Sequence, residues 1–269
     1  VAEGTRVPAL NVLATIENTD PACAWLTSYL ETALLRVWYP TTVATNSWAT
    51  KQVIAQHLER SGDMAGLPFK LHDFGARGVS SLESALIGGM AHLVNFQGTD
   101  TMSALLGARA YYAEPMAGFS IPAAEHSTIT AWGREGEADA YRNMLRQFAK
   151  PGSLVAVVSD SYDLDHAVKA LWGRELRQAV IESGATVVIR PDSGEPAAIV
   201  LRTVQSLAAA YGSDLNAKGF KVLRHVRVIQ GDGITRESIH GILAALEQHG
   251  YSADNVAFVR SARKLCAQV

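Results

Sequence analysis

The sequence predicts an α/β protein: an α/β barrel, complete or incomplete, with part of a smaller N-terminal lobe ahead of it. Three observations carry this. From about residue 69 short β-branched runs alternate with helical stretches; several runs end in a cluster of Gly, Asp, Arg or His; and 269 residues, 48% hydrophobic, suffice to bury a sizeable core.

Residues 1–68 read as a partial α+β lobe. Asn11–Glu17, NVLATIE, alternates imperfectly and is expected to form a strand. Asp20 then caps a helix with Pro21 at its first position and an apolar stripe of Trp25, Leu30, Leu34 and Val37. Tyr39-Pro40 ends that helix, because the residue before a proline is pushed out of the α region. A second helix is expected from about Thr42 to Arg60, stopping at Ser61-Gly62.

Residues 69–258 form the predicted barrel domain, and 259–269 a separate tail. The expected strands are Phe69–His72, His92–Asn95, Phe119–Ile121, Leu154–Val158, Thr186–Ile189, Val226–Ile229 and Asn255–Phe258. Helices are expected at Ser80–Met90, Glu135–Phe148, Ala197–Tyr211 and Glu237–His249. Helices of this length between short strands imply parallel pairing through right-handed crossovers. Six or seven strands fall short of the eight of a closed barrel, and an open doubly wound sheet is the alternative.

Composition excludes some partners. Lys plus Arg at 24 against Asp plus Glu at 26 gives a net charge of −2, so no overall positive field points to nucleic acid or an anionic membrane. Local charge must therefore carry any phosphate binding. Two cysteines, Cys23 and Cys266, are too few and too far apart for a disulfide framework or thiolate zinc site, which suits a reducing compartment. No apolar run nears the roughly 20 residues of a membrane span, and no basic, apolar leader opens the chain. A soluble, cytoplasmic protein is expected.

The chemistry-bearing residues stand where the predicted strands end: LHDFGARG at 71–78, NFQGTD at 95–100, PAAEHSTITAWG at 122–133, SDSYD at 159–163, IRPDSG at 189–194 and VIQGDG at 228–233. In a parallel sheet these ends share one rim, where α/β proteins place ligands. Arg190 can hold phosphate or carboxylate oxygens bidentately, and Asp192 can accept ribose hydroxyls or bind a metal; an ion pair tidying the turn is the plainer use. Gly231 and Gly233 free the backbone to approach a ligand, with Asp232 between them, although a lone GDG is merely a turn. Of the carboxylates in SDSYD, Asp163 suits a helix cap, while Asp160, nearer the strand end, could face a ligand directly or through Mg²⁺ on a pyrophosphate. His126, between a Pro-led turn and a hydroxyl-rich segment, is the candidate reactive histidine, whereas His72 reads as buried and hydrogen-bonded. Phe74 can stack on a flat heteroaromatic ring or plug the core. Asp100 can accept a hydrogen bond from a carboxamide or cap the helix starting near Thr101.

These segments, in this order and wording, together with VAEGTRVPALNVLATIENTDP at the start, WYPTTVATNS at 38–47 and DNVAF at 254–258, resemble the nicotinate/nicotinamide phosphoribosyltransferase family, and within it the nicotinamide-specific members. The resemblance covers nearly the whole chain. It implies a type II phosphoribosyltransferase fold, homodimers with active sites shared between subunits, and transfer of phosphoribosyl from phosphoribosyl pyrophosphate to nicotinamide with Mg²⁺ present. It also implies ATP hydrolysis coupled through a phosphohistidine. Phe74 then matches the ring that stacks on nicotinamide, and Asp100 the carboxylate that accepts its amide N–H. Arg77, Arg190 and Asp192 match residues around the amide, ribose and phosphates, Gly231 and Asp232 the ribose-binding turn, Asp160 the carboxylate near pyrophosphate and metal, and His126 the phosphorylated histidine. His126, Asp100 and Asp192 are the expected catalytic set.

The resemblance also marks departures. Family members are longer at both ends, and after Phe258 they continue with a Gly-rich phosphate loop where this chain has VRSARKLCAQV. Loss of such backbone donors would weaken 5′-phosphate binding, so an inactive fragment that at most dimerises or binds nucleotide is one alternative reading. Nicotinate phosphoribosyltransferase is the other. Asp100 argues against it, since a carboxylate repels nicotinate and accepts from an amide.

Overall fold

The computed structural model describes residues 2–260. Its centre is a wholly parallel seven-stranded sheet of β1 (Leu71–Asp73), β2 (Gly98–Thr99), β3 (Ala123–Ala124), β4 (Leu154–Val158), β5 (Thr186–Arg190), β8 (Val226–Gln230) and β9 (Val256–Arg260), in the order β2-β1-β9-β8-β5-β4-β3. A separate antiparallel ribbon of β6 (Ser213–Leu215) and β7 (Lys221–Leu223) precedes β8. The helices are α1 (Leu26–Ser61), α2 (Leu82–Leu93), α3 (Met102–Tyr112), α4 (His126–Thr130), α5 (Glu137–Phe148), α6 (Leu164–His166, continuing as a π-helix over Ala167–Glu175), α7 (Arg177–Ser183), α8 (Pro196–Tyr211) and α9 (Arg236–Gln248).

The sheet curls until one segment touches both of its edges. Phe119 bridges Gly98, with Thr99 N donating to Phe119 O (3.0 Å) and Phe119 N to Gln97 O (2.7 Å), and β3 just beyond it pairs with β4 at Ala123–Ala156 and Ala124–Val157. This is the expected incomplete α/β barrel, laced shut by the chain between Phe119 and Ala124.

The long strands are β-branched because both faces are covered. On the outer face Val155, Val157, Val187, Ile189, Val226, Val228, Val256 and Phe258 join the main core under the helices. On the inner face Ala156, Val188, Ile229 and Val259 form a small apolar floor, with Phe74, Ile121 and Ala257 packed on it.

Several expectations are corrected. The two N-terminal helices are one 36-residue helix with Pro40 inside it. A proline here removes one backbone hydrogen bond, but tertiary contact overrides the break: Tyr39 OH donates to Ser84 O (3.3 Å) and lies so close over Gly88 that a Cβ there would sit 2.2 Å from the hydroxyl. Asp20 does cap a turn, accepting from Ala22 N at 2.9 Å, but the turn is the 3₁₀ segment Pro21–Cys23. The stripe of Trp25, Leu34 and Val37 is exposed, and α1 instead buries Val43, Ile54 and Leu58 in its second half. Residues 11–17 form no strand, since no neighbouring strand among the described residues offers them a ladder. His92 closes α2, where its ring meets Ser47 Oγ (3.0 Å) and Leu71 O (3.2 Å), so the strand falls at Gly98–Thr99. Gly98 is required there, because a Cβ would meet the His72 ring at 2.6 Å. Of Phe119–Ile121, only Phe119 bridges, and the paired strand is Ala123–Ala124. The last strand runs on through Val259 and Arg260; the rest of the predicted tail, with Cys266, lies outside the described residues.

Candidate active site

Parallel topology brings the ends of β1, β2, β3, β4, β5 and β8 to one rim, and with them Phe74, Asp100, His126, Asp160, Arg190, Asp192, Gly231 and Asp232. One part of the rim is a circuit of hydrogen bonds closed through the backbone. His126 Nε2 lies 3.0 Å from Asp160 Oδ1, the carboxylate being 5% exposed and the imidazole 44%. Ser159 N donates to Arg190 O (3.0 Å), tying the ends of β4 and β5 together. Arg190 reaches back with Nη1 to Glu125 Oε1 (3.2 Å), and Glu125 stands at the N-cap of the helix that His126 begins, its backbone N donating to Thr128 Oγ1 at 3.1 Å. Nη2 of Arg190 meets Asp192 Oδ2 at 2.7 Å. Burial lowers the guanidinium's proton affinity, but the hydrogen bond and charge of Asp192, then Glu125, outweigh it and hold the pKa above its ordinary value.

An ionised carboxylate only accepts, so Asp160 places the imidazole proton on Nε2. Nδ1 of His126 has no partner among the described residues, and in that tautomer it carries the ring's free lone pair.

Four buried polar atoms on this rim lack a partner among the described residues: Asp192 Oδ1, Arg190 Nε, Ser161 Oγ and Gln230 Oε1. Each such atom costs about 1–3 kcal/mol if left unsatisfied. They stand at or just beyond the ends of β4, β5 and β8, where water or a polar ligand can supply the missing bonds. Gly231 belongs to the same cradle, since a Cβ on it would meet Asp192 Oδ1 at 2.6 Å. Gly233 sits at φ +69°, a left-handed turn that glycine takes without strain. Asp232 is exposed, its backbone carbonyl accepting from Gln230 Nε2 (3.0 Å).

At the other side Phe74 lies half-buried on the inner floor, with the Arg190 guanidinium 5.9 Å from its ring centre. Asp100 does not cap α3: Thr101 holds that position without a side-chain cap, and the Asp100 carboxylate accepts from Ser120 Oγ. It is exposed, as is Arg77 on the 3₁₀ turn after β1. Asp163 takes the capping role, accepting from His166 N at 3.0 Å. His72 is half-buried, and burial lowers its pKa. Sequence reasoning missed Glu125 and Ser120. Neither has a clear local signal, since the reciprocal-capping signature places Ser or Thr first and Glu or Gln three residues later, the reverse of Glu125 and Thr128.

Among the described residues no cluster of three or more His, Cys, Asp or Glu side chains is disposed to enclose a metal. A Mg²⁺ ion that takes one or two carboxylates from the protein and its other ligands from water and phosphate oxygens needs no such cluster. Among the described residues, no helix is long and apolar enough to cross a membrane.

A curled parallel sheet with a histidine–carboxylate pair and an arginine–aspartate cradle on its C-terminal rim defines an incomplete α/β barrel with a charged, polar rim. Residues 69–260 match the nicotinate phosphoribosyltransferase (NAPRTase) family, and the chain belongs to that family. It is 64% identical over 260 residues to a nicotinamide phosphoribosyltransferase of Xanthomonas campestris pv. campestris (strain 8004), covering 96% of this chain and 56% of the relative. Nicotinamide phosphoribosyltransferases of Acinetobacter baylyi (33% over 279 residues; 95% of this chain, 55% of the relative) and Mycoplasma pneumoniae (34% over 265 residues; 91% and 56%) are also similar. The chain spans a little over half the length of these relatives.

Proposed function

We propose that this chain carries the core of an enzyme that transfers phosphoribosyl from phosphoribosyl pyrophosphate to nicotinamide, giving nicotinamide mononucleotide and pyrophosphate in NAD salvage. The observation that carries the reading is the juxtaposition, on one rim, of Phe74 and Asp100 with the Arg190–Asp192–Gly231 cradle. Phe74 stacks on the pyridine ring, and Asp100 accepts the amide N–H that nicotinate lacks. Asp192 and Asp232 accept ribose hydroxyls, Arg77 and Arg190 hold phosphate oxygens, and together they align the ribose carbon with the pyridine nitrogen. Asp160 holds Mg²⁺, which when bound neutralises charge on the departing pyrophosphate. Nδ1 of His126 accepts a phosphoryl group from ATP, with the Nε2 proton held by Asp160.

Exposed apolar side chains at the start of and along α1 and on α3, among them Trp25, Tyr29, Val37, Met102, Leu106 and Tyr111, support a homodimer with shared sites. Cysteine usage supports a cytoplasmic setting. The test is product analysis by mass on the full-length protein, with phosphoribosyl pyrophosphate and either nicotinamide or nicotinate, with and without ATP. Nicotinamide mononucleotide is expected; nicotinate mononucleotide as the main product, or no product, would overturn the reading.

A further inference from the structure

Beneath the rim, four buried side chains on three elements converge on the residue that precedes Asp160. Ser159 Oγ accepts from Trp172 Nε1 at 3.0 Å and donates to Val157 O at 3.0 Å, while its backbone N donates to Arg190 O. Trp172 cannot swing away. Its ring stacks on Tyr141 with centroids 4.6 Å apart and planes 16° from parallel, and its carbonyl accepts from Tyr211 OH at 2.7 Å. Tyr141 is fixed in turn by Glu137, whose Oε1 accepts the phenol proton at 2.8 Å. Trp172, Tyr141 and Ser159 are wholly buried, and Glu137 and Tyr211 nearly so.

The helix that presents the indole is wound in an unusual way. Ala167–Glu175 is π-helical, and Leu176 N donates five residues back to Leu171 O at 2.8 Å. Gly173 accommodates this register, since a Cβ there would meet Val168 O at 2.9 Å. A wide turn rotates the residues within it relative to an α-helix, and it is kept where a side chain must be aimed. Here the residue aimed is Trp172, and its target is Ser159.

We propose that Trp172, through its Nε1–Ser159 bond, is a positioning residue for the His126–Asp160 pair. The indole N–H and the Arg190 carbonyl hold Ser159 from two sides, which sets the direction of the next side chain, Asp160, and so the 3.0 Å contact with His126 Nε2. That contact decides which imidazole nitrogen carries the proton. Loss of the indole N–H lets Asp160 drift and leaves the two tautomers in competition for His126, so the lone pair is no longer confined to Nδ1. The inference rests on the proposed phosphorylation of His126 for one of its two readouts; the other is independent of it.

The experiment compares the full chain with Trp172→Phe, which keeps the stack on Tyr141 and deletes the donor, and with Ser159→Ala, which deletes the acceptor at less risk to folding. Nitrogen-15 NMR of labelled histidine reads the tautomer of His126, and transfer of label from γ-³²P ATP reads its phosphorylation. One Nε2–H tautomer is expected in the unaltered protein and a mixture in both variants. The initial labelling rate should fall on the order of 10-fold to 100-fold, as for a misplacement of about an ångström. The double variant should be no worse than the slower single one, because both delete the same bond. Should Trp172→Phe fail to fold, Ser159→Ala decides alone. An unchanged tautomer in Ser159→Ala, or losses that simply multiply in the double variant, would overturn the proposal. Absence of label in the unaltered protein would sink the phosphohistidine reading instead, and the tautomer would then judge this inference alone.

Discussion

The Arg190–Asp192 pair offers the sharpest quantitative test of how the rim is held. The two side chains are 6% and 18% exposed, and Nη2 and Oδ2 are 2.7 Å apart. At an effective dielectric of ~20, unit charges at that distance attract by about 6 kcal/mol. Desolvation returns much of this, leaving about 1.5–3 kcal/mol, the range for a hydrogen bond to a charged group. The Glu125 arm, at 3.2 Å with the carboxylate 43% exposed, is screened and adds under about 1 kcal/mol. Arg190→Met should therefore lower stability by about 3–5 kcal/mol, mostly by stranding Asp192. Asp192→Asn should cost less, and the double variant should recover about 1.5–3 kcal/mol of the summed losses. Urea unfolding of the four proteins, at matched slopes, measures the coupling. A coupling under about 0.5 kcal/mol would show that the pair is not what fixes Arg190 at the strand end.

Other consequences can be checked alongside it. Asp100→Ser in the full-length protein should erode a preference for nicotinamide over nicotinate by about 1–3 kcal/mol; an unchanged ratio in direct competition would remove Asp100 as the selector. His126→Ala should abolish an acid-labile phosphate acquired from ATP and any benefit of ATP to product yield, and label persisting elsewhere would refute the assignment. His57, His72 and His92 all have pKa values lowered chiefly by burial. Folded values below the unfolded 6.5 mean stability that is present above pH 6.5 and lost as pH falls through the folded values, at up to about 1.4 kcal/mol per pH unit for each group. Glu137, raised by burial, pulls the other way as its stabilising share is lost with rising pH, but three histidines outweigh one glutamate. The urea midpoint should fall between pH 7 and pH 5, and a flat profile would contradict the buried, neutral assignment.

How much of this was legible depends on how local each cause is. The strands expected at Leu154–Val158, Thr186–Ile189, Val226–Ile229 and Asn255–Phe258 could be read because strands covered on both faces are predominantly apolar and β-branched. The two-residue strands Gly98–Thr99 and Ala123–Ala124 could not, because pairing with β1 and β4 makes them strands and their own composition does not. Pro40 misled for the same reason: the rule is local, and the Tyr39 contacts that override it lie on α2. The site followed the same division. Asp160, Arg190, Asp192 and Gly231 stand at strand ends, so parallel topology alone gathers them. Ser120 meets Asp100 across twenty residues, and the π-helical register at Trp172 depends on Tyr141 and Tyr211 from other helices.

Charge at the rim leads to one more prediction. The strand-end segments carry Arg77 and Arg190 against Glu125, Asp160, Asp192 and Asp232, so carboxylates outnumber these guanidiniums, and Arg190 is already engaged by two of them. A chain with net charge −2 supplies no long-range attraction to compensate. Such a rim suits neutral ribose hydroxyls, but it repels a pyrophosphate unless a divalent cation stands between phosphate oxygens and Asp160. If the proposed substrate is correct, phosphoribosyl pyrophosphate should bind the full-length protein at least about 10-fold more weakly, or about 1.4 kcal/mol, when Mg²⁺ is removed by chelation. Asp160→Asn should shrink that difference by easing the repulsion and weakening the hold on the ion. Titration calorimetry with and without the metal reads both effects. Equal affinity in the two conditions would mean that backbone donors or basic side chains, and not a carboxylate-held cation, neutralise the pyrophosphate, and would remove Asp160 as the metal-holding residue.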